Sequence, residues 1–273
     1  MTDSPAARLH TLKQILQGIG PVAVAVSGGV DSMTLAVVAG RTLGTTSAMF
    51  HAVSPAVPPE ATARVRFYAA REGWRLHLLD AGEFNDARYL NNPVDRCFYC
   101  KTHLYQRIAQ QIQATILSGA NQDDLNDYRP GLQAAGNYGV RHPWVEAEVD
   151  KAAVRAIARQ LNLTELAELP AAPCLSSRVE TGIGIQPATL TLIHQVERLL
   201  TQQLQPRTVR CRVRHNGIVI ELDRDSLQTL SLSDRSRLAK TVEALCQGAG
   251  FKPLLGFELY RTGSAFLRKH TDG

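Results

Sequence analysis

Residues 21–32 read PVAVAVSGGVDS, so an apolar, β-branched run of strand length ends abruptly in two glycines, an acid and a hydroxyl. MTLAVVAGRTLG then continues with helical spacing. A buried strand that leaves through so bare a turn into a helix restricts the choice of fold more than any other stretch. Around it the same alternation repeats. Residues 6–18 carry Leu9, Leu12, Ile15 and Leu16 on one helical face, and AMFHAV is a second strand ending at Ser54–Pro55. ATARVRFYAAREG is helical, WRLHLLD and TILSG return as strands, and KAAVRAIARQLNL is again a helix. Strands that alternate with helices imply right-handed crossovers and a mainly parallel, doubly wound α/β sheet.

The pattern changes after about residue 180. A helix over 190–203 precedes TVRCRVRHNGIVIEL, two alternating segments around an Asn216–Gly217 hairpin signal. The helical stretch DRSRLAKTVEALCQG then leads to a strand near PLLGFELY. The boundary falls in VETGIGIQP, residues 179–187, which gives domains 1–180 and 181–273, the second a small α+β unit. With 44% hydrophobic and 20% charged residues in 273, this is the composition of an ordinary globular chain. It has no apolar stretch of membrane-spanning length and no signal-peptide core, so a cytoplasmic location is expected. The net charge of +5 comes without a dense basic stripe or a reading helix, which argues against nucleic acid as partner.

Gly28 and Gly29 allow a ligand to approach the backbone closely, and the helix that follows offers unpaired N–H groups and the positive end of its dipole. Ser27 and Ser32 add hydroxyls, so the turn suits phosphate. GxxxxGK[ST] and GxGxxG are both absent. SGGVDS instead resembles the PP-loop of the ATP-pyrophosphatase superfamily, whose members hold the pyrophosphate of ATP and transfer AMP to an acceptor oxygen. GANQDDLND (119–127) follows the TILS strand at the sheet edge where open α/β folds bind ligands. Asp31 with Asp123 or Asp124 supplies the one or two carboxylates that Mg²⁺ bridging phosphates needs. Ser54, at the end of the second strand, and Gly119, which opens the acidic stretch, complete the set assigned to ATP.

Five cysteines in a chain expected to be cytoplasmic argue against structural disulfides. CFYC places Cys97 and Cys100 within one turn, and Cys174 follows much later in PCLSSR. Three thiolates can hold a cubane iron–sulfur cluster with one iron open. They can equally hold Zn²⁺ with His103 as fourth ligand, or the CxxC can be a redox pair. Cys211 and Cys246 have apolar neighbours and read as core. In TVRCRVRH, Arg210, Arg212 and Arg214 share one face of a strand, a row of like charge that calls for an anion.

SGGVDS, RCFYCK, NDYRPGL (126–132), PCLSSR (173–178) and TVRCRVRH (208–215) occur in that order, and together they resemble the LarE-type sulfur transferases. The similarity runs from about residue 10 to YRTGS near the C-terminus. SPAVPPEA stands where that family's pattern is more acidic. The resemblance implies an enzyme that adenylates a carboxylate of pyridinium-3,5-biscarboxylic acid mononucleotide with ATP and replaces its oxygen with sulfur, in the making of a nickel-pincer nucleotide. Some members give up the sulfur of the PCLSSR cysteine itself. Others carry the additional CxxC and bind a [4Fe–4S] cluster that holds an extra sulfide. All three cysteines are present here, so the resemblance implies Cys97, Cys100 and Cys174 as cluster ligands and an external sulfide donor. It implies Cys174, Asp31 and Glu197 as catalytic residues and Arg210 and Arg212 on the phosphate of the mononucleotide, while Ser177 and Arg178, which follow Cys174, are expected to contact the substrate's phosphate or carboxylate. A homo-oligomer is expected, with an ATP-binding first domain and a second domain for substrate and subunit contacts. The competing readings are a tRNA thiolase, an amidotransferase-like synthetase and a zinc-stabilised ATP-binding module without enzyme activity.

Overall fold

The structure, a computed structural model, describes residues 4–126, 130–171, 173–248, 251 and 253–267. Asp127, Tyr128 and Arg129 of the NDYRPGL segment lie outside the described residues. The chain divides into two compact units, Met1–Asn85 with Asp95–Ala172, and Asp86–Val94 with Pro173–Gly273. The second unit therefore takes in a short segment from the middle of the first.

In the first unit β1 (Val22–Ala25), β2 (Ser47–Ala52), β3 (Leu76–Leu79) and β4 (Thr115–Leu117) form one sheet in the order β3-β2-β1-β4, every pair parallel. All four residues of β1 are buried, so the strand needs cover on both faces. Val22 and Val24 pack with Leu12 and Leu16 of α1 (Pro5–Ile19), Val37 of α2 (Val30–Leu43) and Val65 of α3 (Pro59–Glu72). Ala23 and Ala25 face the other way, onto Leu104, Tyr105 and Ile108 of the Arg96–Gln111 helix. The fold is the doubly wound α/β class expected from the alternation. In the order β3-β2-β1-β4, the connections from β1 leave in opposite directions along the sheet. The crevice outside the carboxyl ends of β1 and β4 is thus the topological switch point, where such sheets take their ligands.

In the second unit β5 (Val209–Arg214), β6 (Gly217–Leu222) and β7 (Leu254–Leu259) form a mixed sheet. β6 is central, antiparallel to β5 and parallel to β7. The hairpin loop is His215–Asn216, and Gly217 already belongs to the strand. Glycine is required there by close packing, since a Cβ would lie 2.7 Å from Leu255 Cγ and 2.8 Å from the Pro253 carbonyl oxygen. The Pro187–Leu204 helix packs on β5, and the Leu232–Gly248 helix on β7. No helix among the described residues is long and apolar enough to cross a membrane.

Candidate active site

The SGGVDS turn is braced from beneath and from one side. Ser32 Oγ accepts from the Ser27 N–H at 3.0 Å, lies 2.9 Å from Ser27 Oγ and donates to the Gly29 carbonyl at 3.2 Å, which closes the loop on itself. Gly28 has φ +88°, and a Cβ there would meet Ala61 Cβ at 2.9 Å, so only glycine fits this turn against α3. From the same helix, Arg64 Nη1 donates to the Gly28 carbonyl at 2.7 Å. The buried His51 ring lies 2.7 Å from the Val26 carbonyl through Nδ1 and 2.9 Å from Thr62 Oγ1 through Nε2. A carbonyl can only accept, so Nδ1 carries the proton and Thr62 donates to Nε2. Gly29 caps α2, leaving the N–H groups of its first turn facing the loop.

Asp31, in that first turn, is the hub of the crevice. Its carboxylate accepts from Asn121 Nδ2 at 3.0 Å and from Lys151 Nζ at 3.1 Å, and Trp144 Nε1 donates to its backbone carbonyl. The buried Asn121 also accepts the Asp123 N–H, while the Lys151 N–H donates to the Asp123 carboxylate at 3.0 Å. Asp31 and Asp123 are thus linked through Asn121 and Lys151, and Asp124 turns back to accept the Asn121 N–H. The backbones meet at Gly119, where a Cβ would lie 2.7 Å from the Ser32 nitrogen. Ser54 lies two residues beyond the end of β2, and its hydroxyl accepts from the Ala56 N–H in the turn toward α3. Asn121, Lys151, Trp144, Arg64 and His51 were not singled out from the sequence. GANQDD marks a loop and KAAVRAIARQLNL a helix that begins at Lys151, but which groups such side chains reach depends on the sheet order.

In the second unit Cys174 is exposed and stands as N-cap of a short 3₁₀ turn, Leu175–Arg178. The Ser177 N–H and Arg178 Nη1 both donate to its carbonyl. Arg178 is buried and directed inward: Nη1 also reaches the Pro173 carbonyl and Ser177 Oγ, while Nε and Nη2 grip both oxygens of Glu197 at 3.0 and 2.9 Å. Glu197 further accepts the Cys211 N–H at 2.9 Å, so it joins the Pro187–Leu204 helix to β5 and to the Cys174 turn. The arginine row of β5 faces away from Val209 and Cys211, as its alternation requires. Its neutralising anions are the protein's own. Arg212 is 4% exposed and gives Nε to the fully buried Glu221 at 2.8 Å, with Nη1 on the Ser177 carbonyl. Arg214 pairs with Glu221 and Glu258. Arg210 is half-buried, with its guanidinium 5.6 Å from the Tyr260 ring centroid. Burial, and then the charge of Arg178, weaken its hold on its proton.

No family model matches the chain. It is 32% identical over 223 residues, 80% of each chain, to the pyridinium-3,5-bisthiocarboxylic acid mononucleotide synthase of Lactiplantibacillus plantarum. The chain belongs to the LarE family. An uncharacterised protein of Synechocystis is 35% identical over 226 residues, 81% of this chain and 84% of that one. A further uncharacterised protein, of Methanocaldococcus jannaschii, is 23% identical over 246 residues.

The cysteines of this LarE-family chain fall into three environments. Cys97 and Cys100 are half-buried at the start of the Arg96–Gln111 helix, where i and i+3 share a face. Cys174 is exposed, and Cys211 and Cys246 are buried. Burial pushes the Cys211 thiol well above its ordinary value and the Cys246 thiol upward too. Both are therefore poor thiolates, in keeping with a core role. Among the described residues no three His, Cys, Asp or Glu side chains are gathered as a metal site. Asp31 and Asp123 are carboxylates of the kind that Mg²⁺ takes, an ion that keeps several waters and needs only one or two of them. The Cys97–Cys100 pair and the accessible Cys174 are donors of the kind an iron–sulfur centre takes.

Proposed function

We propose that this protein is an ATP-dependent sulfur transferase that converts a carboxylate of pyridinium-3,5-biscarboxylic acid mononucleotide to a thiocarboxylate. The observation that supports it most is the braced glycine turn with Asp31 held between Asn121 and Lys151, in a chain of this family. Ser27, Gly28, Gly29, Ser32, Ser54 and Gly119 bind ATP in the first unit. The substrate carboxylate attacks the α-phosphorus, the bond to the β-phosphate breaks, and pyrophosphate leaves. The N–H groups of the loop and the α2 dipole stabilise the charge on that leaving group. Asp31 and Asp123 would hold Mg²⁺, which when bound neutralises the phosphates. Lys151 follows its carboxylate partner and turns to the same charge.

The acyl adenylate is a good electrophile. A sulfur nucleophile adds at its carbonyl carbon and AMP departs. Cys97, Cys100 and Cys174 would hold a [4Fe–4S] cluster, which when bound supplies the sulfur from an outside sulfide donor. The second unit binds the mononucleotide and makes subunit contacts. Arg210 contacts its phosphate, and Arg178, Ser177, Glu197 and Arg212 form the support of the Cys174 turn. Two measurements test the reading. Pyrophosphate must appear only when ATP and the dicarboxylate mononucleotide are both present, with a product in which oxygen is exchanged for sulfur. Anaerobically purified protein must carry iron and acid-labile sulfide. Release of pyrophosphate without the mononucleotide refutes the substrate assignment. Stoichiometric zinc without iron refutes the cluster.

A further inference from the structure

Residues 86–94 leave the first unit, join the second, and return to begin the helix of Cys97 and Cys100. In the second unit they are stitched to the chain that follows Cys174. The Tyr89 hydroxyl, buried, lies 2.7 Å from Ser176 Oγ in the middle of the 3₁₀ turn. Asn92 is fully buried, and its Nδ2 reaches the carbonyls of Val179, Glu180 and Ile183 at 3.3, 2.9 and 3.0 Å. Its own carbonyl accepts the Gly182 N–H, and the Leu90 carbonyl accepts the Ile185 N–H at 2.8 Å. Asn92 has φ +52°, a conformation that asparagine adopts more readily than most residues.

Such an arrangement is more than a loop lying on a surface. One side-chain amide has two N–H donors, yet here it serves three carbonyls of a single irregular segment, so the path of 179–183 is moulded around it. Tyr89 does the same for the 3₁₀ turn. Arg178, itself held by Glu197, grips that turn through the Cys174 and Pro173 carbonyls, and Cys174 stays exposed. We infer that Tyr89 and Asn92 are positioning residues for Cys174: the 86–94 segment is a strap that fixes how the turn presents its thiol. This rests on the proposed role of Cys174 only for its catalytic consequence. The mechanical part stands on the hydrogen bonds alone.

The test uses Tyr89→Phe, which removes only the hydroxyl, and Asn92→Gly, which removes the amide while keeping the positive φ available. Amide exchange is followed by mass spectrometry in the full chain. Exchange over 174–185 should rise at least about tenfold, while the β5–β7 sheet and β1–β2 keep wild-type protection. Alkylation of Cys174 by a small iodoacetamide, read by peptide mapping, should change rate in step. In the enzyme assay, substrate-dependent pyrophosphate release should hold while formation of the sulfur product falls. Protection lost equally across β5–β7 would mean a merely structural role and overturn the inference. So would unchanged exchange and labelling in both variants. If wild-type protein makes no pyrophosphate at all, the proposed function fails, but the exchange and labelling results still decide the strap.

Discussion

Arg212 is where the sequence pattern and the structure lead to different experiments. Its place in an arginine row suggests a phosphate contact, so truncation would raise the KM for the mononucleotide. Its surroundings indicate a different cost. The Arg212 side chain is 5% exposed and its partner Glu221 is not exposed at all. Arg212→Ala leaves that carboxylate buried with one of its two arginines gone, a loss of about 3–5 kcal/mol. Arg214 Nη2 at 3.2 Å and Ser264 Oγ at 2.6 Å still serve the other oxygen, which favours the lower end, about 3 kcal/mol. For a unit of ordinary stability that is a large share of the total. Both tryptophans, Trp74 and Trp144, belong to the first unit, so their fluorescence is an internal control. Urea unfolding followed by far-UV circular dichroism should show an early transition in Arg212→Ala that tryptophan fluorescence does not share. Arg212→Lys should recover little, since one ammonium cannot serve Glu221 and the Ser177 and Arg261 carbonyls together. Arg212→Met with Glu221→Leu, which removes both charges, should recover most of the loss. A raised KM with wild-type unfolding would refute the reasoning and return Arg212 to the substrate.

Asp31→Ala should abolish substrate-dependent pyrophosphate release with little change in unfolding midpoint, because the carboxylate is partly exposed and its ion pair with Lys151 is of the weak kind; undiminished release sinks the adenylation assignment. Gly119→Ala forces a Cβ to within 2.7 Å of the Ser32 nitrogen, and backbone must move, so KM for ATP should rise and stability fall by about 1–3 kcal/mol. A pH series on the unfolding free energy tests His51, whose imidazole is held below its ordinary value of 6.5 by burial, against the Val26 carbonyl that favours the proton. The unfolded chain takes up a proton that the folded one refuses, so stability falls as pH drops through that value and levels off below the folded one. His51→Asn keeps a donor for Val26 and should flatten this slope; an unchanged slope assigns it to other groups.

The parallel sheet was legible because its information is local. A strand apolar on every residue, then two glycines, an acid and a helix, encodes both the buried centre of a parallel sheet and the glycine turn at its end. The crevice around Asp31 was legible only in part. The acidic stretch after β4 could be placed at the sheet edge, but Asn121 and Lys151 come to Asp31 from 90 and 120 residues away. No spacing rule reaches that far. The 86–94 strap left still less trace. RYLNNP has no periodicity, and its importance lies in three carbonyls it serves nearly ninety residues later. The arginine row shows the opposite failure. Its face was read correctly from the alternation, but Glu221 sits in GIVIEL, an otherwise apolar strand, and a buried carboxylate there carries no pattern of its own.

The five cysteines illustrate how exposure turns one residue type into different chemistry. A thiol reacts as thiolate, and burial without a compensating charge keeps it protonated. Cys211 is fully buried, and the carboxylate of Glu197, which accepts its N–H, pushes its thiol further in the same direction. Neither it nor Cys246 can serve as nucleophile or ligand without opening the core. Cys97 and Cys100 differ by sharing one helical face, a spacing at which two thiolates repel unless a cation lies between them. Cys174 differs again: its backbone is gripped by Ser177 and Arg178, while the residue itself stays exposed. A rigid carbonyl under an accessible thiol suits a sulfur that must be aimed, whether as ligand or as donor. The two roles separate on mass. A donor cysteine leaves the chain lighter by one H₂S after a single turnover, whereas a ligand cysteine leaves it unchanged. With all three thiols present the mass should stay constant over many turnovers, and Cys97→Ala should then stop sulfur transfer. A chain that grows lighter at Cys174 in step with product, indifferent to Cys97, would show that the sulfur comes from the protein itself.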